Sequence, residues 1–363
     1  MTSSLAFLED SLAELDRGAA RRIRRARVGQ GLLDLSSNDY LGLAHAVERR
    51  EGLFGAGASR LVTGDCASHE RLERELAAWL GFEDALVFSS GFAANTGTIS
   101  ALVGEHDVVF SDALNHASII DGCRLSKATC IVVPHLDVDA LDRALTTTPH
   151  RRALVVTESW FSMDADTPNL AALRAVCDAH KAIWMVDEAH ALGVFGPEGR
   201  GLCAQAGVAP DVFVGTFGKA FGASGAFVGG SSVLLDWLWN RARSFVFSTG
   251  VSPALADVVA DRVALVRGAD EARRRLALMS RRVRDAVPRG WKTPGHGPIV
   301  PIIIGSNDDA LAASKALRAR GFHVAAIRPP TVPPNTARLR LTLRADYMEP
   351  VIDSIVAAMQ SLA

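Results

Sequence analysis

Lys219 stands alone among apolar residues and glycines in the run Val214-Gly215-Thr216-Phe217-Gly218-Lys219-Ala220-Phe221-Gly222. Glycines admit close backbone approach, and apolar surroundings lower an amine's pKa, so a lysine here can be nucleophilic near neutrality. Upstream, Ile183-Trp184-Met185-Val186-Asp187-Glu188-Ala189-His190 is an apolar run that delivers an acid and a histidine at its end. An amine able to form a Schiff base, with a carboxylate able to pair with a pyridinium nitrogen, is the arrangement expected for pyridoxal 5'-phosphate (PLP).

Three further runs carry polar groups at the ends of apolar stretches. Ser89-Ser90-Gly91-Phe92-Ala93-Ala94-Asn95 is a small polar turn opening a helix, whose free N–H groups and dipole suit a phosphate. It also reads as an ordinary strand–turn–helix connection. His116 follows the next apolar stretch; a lone histidine is usually structural, but an imidazole can stack on a planar cofactor and handle protons. Glu158-Ser159-Trp160-Phe161-Ser162-Met163-Asp164 closes the third. Asp187 alone reads equally as a helix cap. Asp-Glu-Ala-His also resembles helicase-type sequences, but no Gly-x-x-x-x-Gly-Lys-Ser/Thr loop occurs, which argues against an NTPase.

The elements that must position these residues alternate. Candidate strands are 85–88, 108–111, 129–133, 153–158, 183–187, 212–216 and 225–229, separated by helical stretches. Such continuous apolar strands indicate an α/β fold with a mostly parallel sheet covered on both faces, where ligands sit at the carboxyl ends of strands. A helix is expected over 4–28 with Leu5, Leu8, Leu12 and Leu15 on one face, a short strand over 32–35, and a helix over 68–80 capped by Ser68. After about residue 250 come a long arginine-rich helical region, a Gly/Pro stretch at 294–298, and strands at 299–304, 324–327 and 337–343 with a helix over 308–320 and a final helix. The expected division is an N-terminal segment (1–45), a large domain (46–265) and a smaller C-terminal α+β domain (266–363).

Composition bounds the function. In 363 residues, Lys+Arg number 39 and Asp+Glu 40, a net charge of −1, which argues against nucleic-acid or anionic-membrane binding. Hydrophobic residues make up 48%, enough for a large core. Five scattered cysteines form no CxxC pair and suit a reducing cytoplasm with neither disulfide framework nor metal site. No signal-peptide stretch or membrane span is expected. The basic run Arg21-Arg22-Ile23-Arg24-Arg25-Ala26-Arg27 reads first as the solvated end of the N-terminal helix, and second as a contact for an acidic substrate.

Taken in order, these residues resemble the α-oxoamine synthases, fold-type-I PLP-dependent transferases. The resemblance runs from Ser36-Ser37-Asn38-Asp39-Tyr40-Leu41-Gly42-Leu43 to Thr342. It includes Gly57-Ala58-Ser59-Arg60-Leu61-Val62-Thr63-Gly64, Asn115-His116-Ala117-Ser118, Phe161-Ser162-Met163-Asp164, Asp187-Glu188-Ala189-His190 and Thr216-Phe217-Gly218-Lys219. Arg328-Pro329-Pro330-Thr331-Val332-Pro333 and Arg338-Leu339-Arg340-Leu341-Thr342 complete it. Two positions depart from the pattern: Ala165 and Asn335 stand where glycine is usual.

The resemblance implies that Lys219 holds PLP, Asp187 pairs with the pyridinium nitrogen, His116 stacks on the ring and His190 bonds the ring oxygen. It implies that Gly91, Phe92 and Thr216 hold the phosphate, with Ser162 nearby and Ser248 and Thr249 arriving from the second subunit of a homodimer. Arg340 is implied to grip the amino-acid carboxylate, with Arg24, Asn38, Arg328 and Thr331 on the substrate side. The implied reaction is decarboxylative condensation of an amino acid with an acyl thioester. The Arg-Pro-Pro-Thr-Val-Pro and Thr-Phe-Gly-Lys runs resemble the biotin-forming branch, which joins L-alanine to a pimeloyl group on CoA or acyl carrier protein. Relatives using glycine with acetyl-CoA or succinyl-CoA, or serine with palmitoyl-CoA, stay open as alternatives, as does an aminotransferase.

Overall fold

A computed structural model describes residues 7–17, 31–45 and 53–362. Strand β1 (Leu33–Asp34) comes first in the chain. Strands β2 (Asp84–Phe88), β3 (Val108–Asp112), β4 (Thr129–Val133), β5 (Ala153–Glu158), β6 (Ile183–Asp187), β7 (Val212–Thr216) and β8 (Ala226–Gly230) form one sheet in the order β2-β8-β7-β6-β5-β3-β4. All run parallel except β8, which is antiparallel to both neighbours.

The alternation of side chains along each strand explains the layering. Leu154, Val156, Met185, Val212 and Val214 enter one apolar cluster. Ala153, Val155, Trp184, Val186 and Phe213 enter the other. Both faces are therefore buried, and the strands read as unbroken apolar runs. Glu158 and Asp187 lie two residues past Val156 and Met185, so both point to the same face. The helices Gly91–Leu102 and Ala117–Ser126 cover that face, contributing Ala94, Ile99, Ile119 and Cys123 to its cluster. Burying one such side chain contributes about 1.5–3 kcal/mol, and truncating Ile99 to Ala costs about 2–5 kcal/mol.

A smaller layer follows the helices Pro253–Arg267 and Asp270–Asp285, which the sequence presents as one long helical region. Strands β9 (Ile299–Gly305), β10 (Phe322–His323), β11 (Ala325–Ile327) and β12 (Ala337–Thr342) enter it. Three make an antiparallel sheet in the order β11-β12-β9, while β1 pairs in parallel with β10. The N-terminal segment is tied here again by Thr342 N–H donating to Leu35 O at 2.7 Å and Ala345 N–H to Tyr40 O at 2.8 Å. Among the described residues no helix is long and apolar enough to cross a membrane.

Some local expectations shift. The helix expected over 4–28 spans Phe7–Arg17 where described, and Leu8, Leu12 and Leu15 are exposed. Leu5 and residues 18–28 lie outside the described residues. The helix expected from Ser68 begins at Ala67 with Cys66 as its cap residue, because the Ser68 hydroxyl donates to Asp257 instead. Ala165 and Asn335 both hold positive φ, at 56° and 61°, so the two positions where glycine is usual keep the left-handed turn.

Candidate active site at the strand ends

The parallel strands β2, β3, β5, β6 and β7 end on one edge, and each releases a functional segment there. After β2, Ser90 takes an extended conformation and its hydroxyl accepts the Ala93 N–H, starting the helix Gly91–Leu102. The Gly91 and Phe92 N–H groups lie in that first turn and have no intrahelical acceptor. Thr216, the last residue of β7, stands beside them: a Cβ on Gly91 would come 4.0 Å from its Oγ1. Gly218 N–H donates to Thr216 Oγ1 at 3.2 Å, shaping the turn into Lys219. Two free N–H groups at a helix start, next to a hydroxyl, form an anion cradle that fits a phosphate.

Asp187 ends β6 and is buried. No helix follows it, so the capping alternative does not hold. Its Oδ1 accepts the Ala189 N–H, and its Oδ2 accepts the Asn95 amide at 2.8 Å. Asn95 also donates to Ser118 Oγ at 2.9 Å, and Ser118 Oγ lies 2.8 Å from His116 Nδ1. His116 caps the helix Ala117–Ser126 by accepting the Ser118 N–H. A chain of polar contacts thus runs from Asp187 to His116. Sequence reasoning missed Asn95 and Ser118, which no local pattern in their helices singles out.

Lys219 is partly buried, and its pKa falls below the ordinary lysine value. Burial causes the fall, the Asp187 and Glu158 charges oppose it, and Arg340 reinforces it. Burial likewise lowers His116, with Asp187 opposing and Lys219 adding to the effect. Glu158 sits opposite Asp187 in the register of β5 and β6. Burial, then the neighbouring Asp187 charge, pushes its carboxyl up to about 8, although Lys219 and the His116 N–H pull it down. Glu158 is a second acid of the site that the sequence left without a role. Glu188, by contrast, is consumed structurally: it accepts from Ser159 Oγ and the Leu202 and Cys203 N–H groups.

His190 is buried and held well below its ordinary pKa, first by burial. Its Nδ1 lies 2.7 Å from the Tyr40 hydroxyl, a partner that sequence reasoning passed over. Arg340, on β12, is 6% exposed. Its guanidinium donates to Ser162 O at 2.7 Å, Asn38 Oδ1 at 3.0 Å and Thr342 Oγ1 at 3.2 Å. None of these is a carboxylate, and burial lowers its pKa. A buried cation without an anion is set up to receive one. Arg338 differs in being neutralised by Asp164 at 2.6 Å.

Beside Ser162 opens a cleft of about 550 Å³, lined by Leu114, Asn115, Phe161, Met163, Thr331 and Val332 among others. Arg328 precedes this loop and lies outside the lining. A second cleft of about 560 Å³, around Phe82, Arg200 and Asp211, lies at the opposite edge of the sheet and contains none of the candidate residues. Ser248 and Thr249 border a narrow crevice shared with Ser89 of the same chain. Arg24 lies outside the described residues. Among the described residues no group of His, Cys, Asp or Glu is arranged to hold a metal.

Comparison with known proteins agrees with this layout. The model of the family "Aminotransferase class I and II" matches residues 30–359. The 8-amino-7-oxononanoate synthase of Aromatoleum aromaticum is 45% identical, covering 98% of this chain and 98% of the relative. That of Anaeromyxobacter sp. strain Fw109-5 is 49% identical over 92% of this chain and 87% of the relative. In structure, the serine palmitoyltransferase of Sphingomonas wittichii superposes with a TM-score of 0.91 at 29% identity, covering 99% and 98% of the two chains. The 8-amino-7-oxononanoate synthase of Francisella tularensis gives 0.76 at 25% identity, covering 92% and 97%. The cofactor is PLP, for which the edge offers an amine, a carboxylate and an anion cradle together. The chain belongs to the class I and II aminotransferase family and, within it, to the α-oxoamine synthase branch of fold-type-I PLP-dependent transferases, alongside the 8-amino-7-oxononanoate synthases.

Proposed function

We propose that the chain condenses L-alanine with a pimeloyl thioester, carried by CoA or acyl carrier protein, to give 8-amino-7-oxononanoate, CO2 and the free thiol carrier in biotin biosynthesis. The observation that carries this reading is the 42–49% identity to 8-amino-7-oxononanoate synthases over more than nine-tenths of the chain.

When bound, PLP supplies an electron sink for the carbanion at the amino-acid Cα. In this reading the chain's own groups bind, orient and move protons. The Gly91 and Phe92 N–H groups and Thr216 hold the phosphate, with Ser162 near and Ser248 and Thr249 of the partner subunit completing it. Asp187 faces the ring nitrogen, and its carboxylate is fixed by Asn95. His116 lies against the ring. His190, steadied by Tyr40, reaches the ring oxygen. Lys219 holds the cofactor. Its Nζ, whose pKa burial lowers, takes the proton from alanine Cα and returns one to the product. Arg340 grips the alanine carboxylate. Asn38, bonded to that guanidinium, keeps it aimed. Thr331 and Arg328 stand on the loop beside the acyl cleft, and Arg24 is the N-terminal candidate for the far carboxylate of the acyl chain.

A cytoplasmic homodimer goes with this reading. Phe92 and Phe247, close in sequence to Ser89 and Ser248, are exposed, as are Phe54 and Val62, and supply apolar surface for a second copy to cover. Sedimentation at twice 38.6 kDa is the expected result, and a fully active monomer would overturn it.

The test is a screen of acetyl, succinyl, pimeloyl and palmitoyl thioesters, each with glycine, alanine and serine. The highest kcat/KM is expected for pimeloyl with alanine. A preference for acetyl with glycine moves the chain to a different branch of the family. Keto-acid formation from alanine without acyl consumption marks an aminotransferase.

A further inference from the structure

His135 is not itself among the residues that line the cleft, yet it joins the segments that carry them. Its Nδ1 lies 2.8 Å from Asp112 Oδ1 and its Nε2 lies 3.2 Å from Asp166 Oδ2. Its ring meets Phe161 edge-on, at 4.5 Å between centroids and 90° between planes.

Each acid organises a loop. Asp112, the last residue of β3, accepts the Leu114 N–H at 2.8 Å and the Leu136 N–H at 3.0 Å, which shapes the segment leading to His116. Asp166 closes the turn that begins at Phe161: its carbonyl accepts the Phe161 N–H at 3.0 Å. Leu114 and Asn115 from the first loop, and Phe161 and Met163 from the second, line the 550 Å³ cleft.

We propose that His135 is a positioning residue for acyl-donor binding: by bridging Asp112 and Asp166 it fixes, relative to each other, two loops that line the cleft beside Ser162. This rests on the reading of that cleft as the acyl-thioester site.

The chemistry of the bridge favours an imidazolium. Among the described residues neither Asp112 nor Asp166 has a lysine or arginine ion-pair partner. Asp166 Oδ1 is buried with no hydrogen bond, so that side chain depends on His135. A neutral imidazole has one N–H and can serve only one of two acids, whereas the cation serves both. Burial alone lowers the His135 pKa, but the hydrogen bonds and charges of the two acids overcome it and raise it to about 9. Glu158 acts on Asp112 from the sheet side. His296 faces Asp166 from the Gly/Pro stretch, is held below its ordinary pKa by burial and the Arg284 charge, and brings no competing cation at neutral pH.

The experiment uses the PLP-loaded enzyme with His135→Gln, which keeps an amide donor without the charge, and with Asp166→Asn, which removes the negative charge of one partner acid. Two readouts are taken: steady-state KM for pimeloyl-CoA and for alanine between neutral pH and about pH 10, and hydrogen exchange of peptides covering Leu114 and Phe161–Asp166. In both variants KM for pimeloyl-CoA should rise roughly tenfold, with alanine KM changing by less than about twofold. The wild-type acyl KM should climb as pH passes about 9, and that climb should vanish in His135→Gln. Exchange should quicken in both loops and not in the helix Glu349–Gln360. Equal changes in the two KM values, or unaltered exchange, overturn the proposal. If wild-type enzyme uses a pimeloyl group on neither CoA nor acyl carrier protein, the assigned substrate has failed, and hydrogen exchange alone then decides whether the bridge holds the loops.

Discussion

Asn95 Nδ2 donates to Asp187 Oδ2 at 2.8 Å and to Ser118 Oγ at 2.9 Å, while Asn95 Oδ1 is buried with no partner. One amide therefore holds the carboxylate assigned to the ring nitrogen and the hydroxyl next to His116. Asn95→Ala removes a hydrogen bond to a charged group, worth about 1.5–3 kcal/mol, so PLP affinity should fall by about 10–150-fold. Fluorescence titration of the cofactor-free protein measures this. An unchanged Kd makes the contact purely structural.

Lys219 is the one residue whose substitution should remove chemistry without removing the cofactor cradle. Borohydride reduction followed by peptide mapping should place the phosphopyridoxyl group on Lys219. Lys219→Ala should keep phosphate-held cofactor and lose condensation by at least roughly 100- to 10,000-fold. Label on a different lysine refutes the assignment.

Arg340 predicts a split between substrates. Its guanidinium is buried and bonded only to neutral oxygens. Arg340→Lys keeps the charge but loses the bidentate fork, so alanine KM should rise about tenfold or more, with PLP affinity unaffected. Weakened PLP binding in this variant would assign Arg340 to the cofactor instead.

Glu158 predicts a pH effect in the cofactor-free protein. Its folded pKa of about 8 lies above the ordinary value of 4.5, so the folded chain keeps a proton that the unfolded chain releases. The folded state therefore loses stability as pH rises from about 4.5 towards 8. Glu158→Gln has no such loss. The melting-temperature difference, variant minus wild type, should widen in favour of Gln between pH 5 and 8 and then level off. A constant difference would mean that Glu158 is ionised throughout.

Much of this was legible in the sequence. The apolar runs placed β5, β6 and β7 to the residue, because strands buried on both faces leave little else for such runs to be; β4 was placed as well, although it is an edge strand with Val132 exposed. Lys219 and Asp187 were visible because a charge at the end of an apolar run is costly unless used. Tyr40, Asn95 and Ser118 were not: their meaning lies in contacts to residues far along the chain, which no local spacing encodes. Ser68 misled for the opposite reason, since a good capping residue was drawn to Asp257 by the neighbouring helix. Glu158 was seen at a strand end, but its raised pKa comes from burial and then from lying across from Asp187, and neither can be read without the strand order.

The pairing of β1 with β10 also sets an order of events during synthesis. Ser36 Oγ bonds His323 O across 287 positions. At roughly 5–20 residues per second, the early segment waits about 15–60 s for its partner to be made. The strands ending at Asp187 and Thr216, with the helix starting at Gly91, have emerged well before then. Asn38 and Tyr40 ride on the waiting segment, and Arg340 is itself a late residue. A nascent chain therefore owns the groups assigned to PLP before it owns those assigned to the alanine carboxylate. Early-bound cofactor would rigidify the sheet edge on which the last-made strands must dock.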